Sequence, residues 1–120
     1  RDAARFALMI KNEGKVNNKQ LIPSAWINSA LNIDEKLKSH MTTNPKYGEE
    51  SWEAYHNMWW ILDSEKGEFC ATGIHGQVIY INRSKNTVMV WFSNQPGAAA
   101  PKNINYQSKL NAARSLVNSL

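Results

Sequence analysis

The spacing of apolar residues along this chain changes twice. In "DAARFALMIKNEG", residues 2–14, it is helical: Ala3, Phe6, Ala7 and Ile10 share one face. Asp2 is the expected N-cap and Gly14 the stop signal. "LIPSAWINSALN" predicts a second, short helix, with Pro23 in the first turn and Trp26, Ile27, Ala30 and Leu31 on the buried side. Residues 33–50 show no apolar period and read as polar and irregular, with a turn at Asn44-Pro45.

Over the next forty-odd residues the pattern is that of β-strands. "AYHNMWWIL" predicts a strand that ends at "DSEKGE", where Gly67 suits a hairpin loop. "FCATGI" returns, "GQVIYI" follows, "NRSKN" turns, and "TVMVWFS" is a further strand. In the last of these Val88, Val90 and Phe92 alternate with Met89, Trp91 and Ser93, so neither face is truly polar. A sheet apolar on both faces needs cover on both, and the second face has no evident cover within this chain. "QPGAAAPKN" reads as a loop. "YQSKLNAARSLVNSL" closes the chain as a helix, with Leu110, Ala113, Leu116, Val117 and Leu120 expected inward. The predicted class is α+β: an antiparallel sheet of three to four strands flanked by N-terminal helices and a C-terminal helix.

Composition narrows the range of functions. At 120 residues the chain has the length of one domain with a single core. No apolar run approaches the roughly 18–20 residues that a membrane span needs, and no secretory signal pattern opens the chain. Its first residue is Arg1 and it starts directly in a helical pattern, as expected of a processed chain or a piece of a longer protein. The single cysteine, Cys70, rules out an internal disulfide and reads as a small buried hydrophobe. The compartment stays open between cytoplasm and periplasm.

Charge is unevenly distributed. All ten acidic residues lie between Asp2 and Glu68, while Arg83, Lys85, Lys102, Lys109 and Arg114 follow with no acid among them. The formal net charge is +4. The basic residues are scattered singly over a turn, a loop and a helix, so they read as solvated positions and not as a nucleic-acid surface.

Several residue types capable of chemistry are present. His40, His56, Cys70 and His75 lack the short paired spacings of structural zinc sites, so no metal is expected. Glu49, Glu50 and Glu53 suit either acid–base chemistry or a charged loop. Tyr55-x-Asn57 has the form of an element found in penicillin-recognising serine enzymes, but three residues match easily by chance. Trp59 and Trp60 are adjacent, so on a strand they face opposite sides; one belongs to the core, and the other is either a platform for a ligand or a residue that lies under a neighbouring domain. Gly73, His75 and Gly76 interrupt the hydrophobic run of "FCATGIHGQVIYI", which marks either a tight turn or a place of close backbone approach.

The paired tryptophans, the turn, Gly73-Ile74-His75-Gly76-Gln77, the apolar strand and the following strand ending in Ser93-Asn94 and Pro96 together carry a resemblance. They resemble the C-terminal part of bacterial serine hydrolases of the β-lactamase and penicillin-binding-protein superfamily. Within that superfamily they are similar to the class C β-lactamase-like branch that contains the 6-aminohexanoate-dimer hydrolases. "RDAARFALMIKNEG" and "LIPSAWI" are similar to two helices of that family, so the likeness covers nearly the whole chain.

The resemblance implies a mixed domain in which an antiparallel sheet borders an active site shared with a helical region. Ala71-Thr72-Gly73 looks like the family's Lys-Thr-Gly element with the lysine lost, which argues against penicillin turnover and for a small amide, an ester or a peptide. It implies that the Ile74 backbone N–H, beside Gly73, is an oxyanion-hole donor, and that Trp60, Thr72 and His75 border the substrate. Tyr55 cannot be the family's catalytic tyrosine if Trp60 aligns this way. The family's nucleophile lies in Ser-x-x-Lys, and no serine of this chain has lysine three positions later. The chain is therefore expected to need the missing N-terminal part of the same enzyme, to be inert alone, and to require no cofactor. Two other readings remain open: a stand-alone binding module for a peptide, glycan or nucleic acid, and an assembly domain, with a homodimer of the chain as one form of association.

Overall fold

A computed structural model describes residues 1–43, 52–98 and 106–120, without the side chains of Thr42 and residues 106–108. The expected Asn44-Pro45 turn and the residues Glu49 and Glu50 lie outside these described residues. Helix α1 (Asp2–Lys11) leads into a ribbon of β1 (Lys15–Val16) and β2 (Lys19–Gln20), then α2 (Ser24–Ser29) and α3 (Glu35–Thr43). The main sheet follows: β3 (Ala54–His56), β4 (Trp59–Asp63), β5 (Glu68–Gly73), β6 (Gln77–Asn82) and β7 (Thr87–Trp91). Helix α4 (Tyr106–Asn118) closes the chain. The sheet is antiparallel throughout, in the order β3-β4-β5-β6-β7, so the class is the expected α+β.

The sheet has five strands because "AYHNMWWIL" is two strands and not one. Asn57 and Met58 both take positive φ, 49° and 70°, and make a two-residue hairpin between β3 and β4. Residues 33–43 also depart from the expected irregular segment. Asp34 Oδ1 accepts a 2.8 Å hydrogen bond from the Leu37 amide, which caps α3, and Met41 buries against the sheet. Asp2, by contrast, is no cap. It lies in the first turn of α1, where its carboxylate suits the helix dipole and pairs with Arg5 at 3.0 Å.

Strand alternation divides the core in two. On one face Trp59, Ile61, Phe69 and Ile81 meet Ala7 and Ile10 of α1, Ile27 of α2 and Ala30 just after it. Trp59 stands edge-on to Phe69 with ring centroids 5.0 Å apart. On the other face Leu62, Cys70, Val78 and Tyr80 meet Leu110 and Val117 of α4, with Met41 and Trp52 completing the cluster. This second face therefore does have a cover within the chain, contrary to expectation. Helix α4 uses a narrow stripe, Leu110, Ala113 and Val117, and leaves Leu116 and Leu120 in solvent. Phe6 and Trp26, expected inward, are likewise exposed; Trp26 shows 53 % of its surface.

Candidate functional site

The central strand β5 runs outward from a buried start to an open end. Glu68, Phe69 and Cys70 are buried, Ala71 and Thr72 half-buried, and Gly73 exposed. Ile74 follows as the first residue past the Gly73–Gln77 pair that ends the β5–β6 ladder. It leads a tight turn, Ile74–Gly76, and its side chain is 67 % exposed.

The conformational demand falls on a different glycine from the one the sequence singles out. Gly73 is extended, with φ −122° and ψ 163°, a conformation open to any residue. His75 and Gly76 take the left-handed region, with φ 59° and 79°. The left-handed backbone at Gly76 favours glycine, and a Cβ there would also lie a tight 3.2 Å from both the Ser93 and Gln95 side chains.

The turn is tied to residues 93–98, which follow β7. His75 Nδ1 lies 2.8 Å from the Gln95 carbonyl oxygen, and the His75 amide donates to Ala98 O at 3.1 Å. The Gln77 side-chain amide clamps Ser93 from both sides: Nε2 donates to Ser93 O at 2.5 Å, and Oε1 accepts from Ser93 N at 3.2 Å. Of these residues Gln77, Ser93, Gln95 and Ala98 have no function in the sequence reading. The sequence signals that mark their place are the Gly73–Gln77 motif for Gln77 and "SNQP" after the last strand for Ser93 and Gln95.

An apolar groove of about 630 Å³ reaches β5 from the side of α1 and α2. Phe6, Trp26, Met58, Trp59, Trp60 and Thr72 contribute to its wall. Trp59 and Ala71 belong to one sheet face and Trp60 and Thr72 to the other, so the groove wraps the end of the sheet. Its lining holds no acidic or basic side chain, and Met58 and Trp26 leave more than half their surface open. Such a groove favours an uncharged, apolar occupant. A smaller depression of about 230 Å³ continues from Thr72 to Gly73 and Gln77.

Of the residues expected at a site, Trp60 and Thr72 therefore share one groove and Gly73 lines the smaller depression beside it, while Ile74 and His75 follow Gly73 in the turn and line neither. Tyr55 and Asn57 line the same groove: Tyr55 lies tilted against Trp60 with centroids 4.5 Å apart, and Asn57 turns the hairpin and donates to Ser29 Oγ at 3.1 Å. The other candidates lie elsewhere. Glu53 accepts from the Ser64 amide at 2.9 Å and so holds the β4–β5 turn. His40 is exposed on α3, His56 sits on β3, and Cys70 is buried at the centre of the sheet. Burial, with the Glu68 carboxylate adding to it, pushes the Cys70 thiol well up, the opposite of what a nucleophile needs. Among the described residues no group of three or more His, Cys, Asp or Glu is arranged to hold a metal.

The chain matches a 6-aminohexanoate-dimer hydrolase from Paenarthrobacter ureafaciens with 26 % identity over 96 residues, covering 80 % of the chain. A solved structure from Bacillus anthracis, provisionally named a 6-aminohexanoate-dimer hydrolase, superposes on 99 % of the chain with TM-score 0.76 and 31 % identity. The chain is a relative of the 6-aminohexanoate-dimer hydrolases. It spans 24 % of the first protein's length and 28 % of the second's. No family model matches the chain.

Proposed function

We propose that this chain is the C-terminal portion of a β-lactamase-like serine hydrolase and forms one wall of its active site. The observation that carries the reading is the position of Thr72-Gly73-Ile74 at the open end of the central strand, beside an uncharged aromatic groove, in a relative of the 6-aminohexanoate-dimer hydrolases.

In this reading a serine outside these 120 residues passes its hydroxyl proton to a base, also outside them, and its oxygen attacks the carbonyl carbon of an amide or ester. The carbonyl π electrons move to oxygen, and the oxyanion accepts a hydrogen bond from the Ile74 amide. Collapse of this intermediate expels the amine or alcohol, which takes that proton back from the base, and leaves an acyl-serine for water to cleave. Trp60 and Thr72 line the substrate's path. The substrate is a small amide, an ester or a peptide. Ala71 supplies no cation where Lys-Thr-Gly relatives carry one, so a substrate carboxylate finds no partner at this position. Reading the chain as an assembly domain joined through an open sheet face loses its premise, since α4 covers that face.

The test is labelling with a fluorescent fluorophosphonate and turnover of a nitrophenyl ester. Both are run on the 120-residue chain alone and on the chain joined to the N-terminal region of its full-length protein. Labelling and turnover only in the joined form support the proposal. Labelling of the lone chain sinks it, because the chain would then carry its own nucleophile.

A further inference from the structure

The donor proposed at Ile74 belongs to a backbone amide, and a backbone amide is only as well aimed as the residues on either side of it. On its N-terminal side the aim is set by the sheet, because Gly73 is in register with Gln77 on β6. On its C-terminal side there is no strand. There the chain enters a left-handed residue, His75 at φ 59°, a conformation that a non-glycine side chain adopts only where its surroundings hold it.

Two hydrogen bonds hold it. The His75 amide donates to Ala98 O, and His75 Nδ1 meets Gln95 O at 2.8 Å. A carbonyl only accepts, so in this contact Nδ1 carries a proton and donates it. The strap of residues 93–98 is in turn fixed to the sheet through Gln77, which bonds both the N–H and the C=O of Ser93. The side chains of Ser93 and Gln95 close against Gly76. Gln77 thus anchors both ends of the arrangement, as the pairing partner of Gly73 and as the clamp on Ser93.

We infer that His75 is a positioning residue: through Gln95 and Ala98 it ties the β5–β6 turn to the 93–98 strap and so sets the direction of the Ile74 amide. This rests on the proposed oxyanion role of Ile74 for its functional meaning, but the positioning itself is a property of this chain. His75 does not touch the reacting atoms in this account. Its imidazole acts through the backbone, which distinguishes it from a general base.

Three substitutions separate the side chain from the backbone. His75→Gly removes the Nδ1 donor while easing the positive φ. His75→Asn keeps a short donor and tolerates the left-handed region. His75→Ala loses the donor and keeps the strain. In the 120-residue chain, nitrogen-15 spectra of the wild type are expected to show His75 as the Nδ1–H tautomer. In His75→Gly the Ile74 amide resonance is expected to shift, and the residue-75 amide, bonded to Ala98 O in the wild type, to exchange at least about tenfold faster with solvent, a local opening easier by about 1.4 kcal/mol. The amides of Phe69 and Ile81 are expected to stay unchanged, and His75→Asn to restore most of the protection at position 75. An Ile74 amide indistinguishable from wild type in His75→Gly overturns the inference, whatever the enzyme does.

The same variants in the full-length protein read the consequence. Per active site titrated with the fluorophosphonate, the acylation rate in His75→Gly is expected to fall by about 10- to 100-fold, as misplacement of a catalytic group does. KM should change little, and Asn should rescue. If the Ile74 amide moves and acylation per titrated site does not, the positioning stands and the oxyanion role of Ile74 fails.

Discussion

Arg114 on α4 holds Glu68 on β5 through two parallel hydrogen bonds, Nε to Oε1 at 2.7 Å and Nη2 to Oε2 at 2.9 Å. The carboxylate is 2 % exposed, so the pair pins α4 to the first residue of the strand that ends at the site. Tyr80 adds a third bond, its hydroxyl donating to Glu68 Oε1 at 2.7 Å. Burial works against the guanidinium charge, and the contact with Glu68 more than restores it.

Removing one partner leaves a charge buried without its counter-ion. Arg114→Ala is therefore expected to destabilise the chain by about 3–5 kcal/mol in urea unfolding. The double variant Arg114→Met with Glu68→Leu is expected to recover most of that loss. A single variant that loses less than about 1 kcal/mol, the size of an exposed pair, would show that the contact is solvated.

The same network sets an alkaline limit. Burial first, then Glu68, raises the Tyr80 phenol above its ordinary value of 10.0, against an opposing hydrogen bond from Asn82. In the unfolded chain Tyr80 loses its proton near pH 10.0, while in the folded chain it keeps it. The unfolded state then binds fewer protons, and stability falls as pH rises above about 10. Tyr80→Phe is expected to lose about 1 kcal/mol at neutral pH but to show a shallower decline above pH 10, measured as melting temperature against pH. Cys70→Ala serves as a control for the slope that the buried thiol adds from about pH 9. Parallel curves for wild type and Tyr80→Phe would contradict the assignment.

The two glycines of the turn are expected to respond differently. Gly76→Ala meets both a left-handed backbone and the Ser93 and Gln95 side chains, and should cost about 1–3 kcal/mol. Gly73→Ala keeps an allowed extended backbone and meets the Gln77 Cβ at 3.2 Å, and should stay within about 1 kcal/mol. Urea midpoints decide it, and equal losses would mean that the turn is not strained at Gly76.

Much of this arrangement is legible in the sequence because it depends on local pattern. The alternation through Val78, Ile79, Tyr80 and Ile81 gives the strand and its two buried faces, and the adjacency of Trp59 and Trp60 divides them between the two sides. What escapes is what depends on distant partners. Glu68 reads as the last residue of a charged loop, because Arg114, its partner, lies 46 positions away on another element. Gly73 draws attention as a glycine in a strand, yet it is at Gly76, with its left-handed backbone and the Ser93 and Gln95 side chains close by, that a side chain would be strained. Asn57-Met58 hides a hairpin because methionine is a poor turn signal. The cap at Asp34 was available to local reading, as an acidic residue three before Leu37, but the surrounding polar run obscured it.

The central claim is that the backbone N–H of Ile74 stabilises an oxyanion, and deleting that one hydrogen tests it most directly. Ile74→Pro removes the donor, and Ile74→Ala keeps it while removing the exposed side chain. In the full-length protein, acylation by a nitrophenyl ester is measured per titrated active site, with circular dichroism confirming the fold of each variant. The account predicts a fall of about 10²–10³-fold for Ile74→Pro and a rate near wild type for Ile74→Ala. Undiminished acylation in a folded Ile74→Pro enzyme would contradict it.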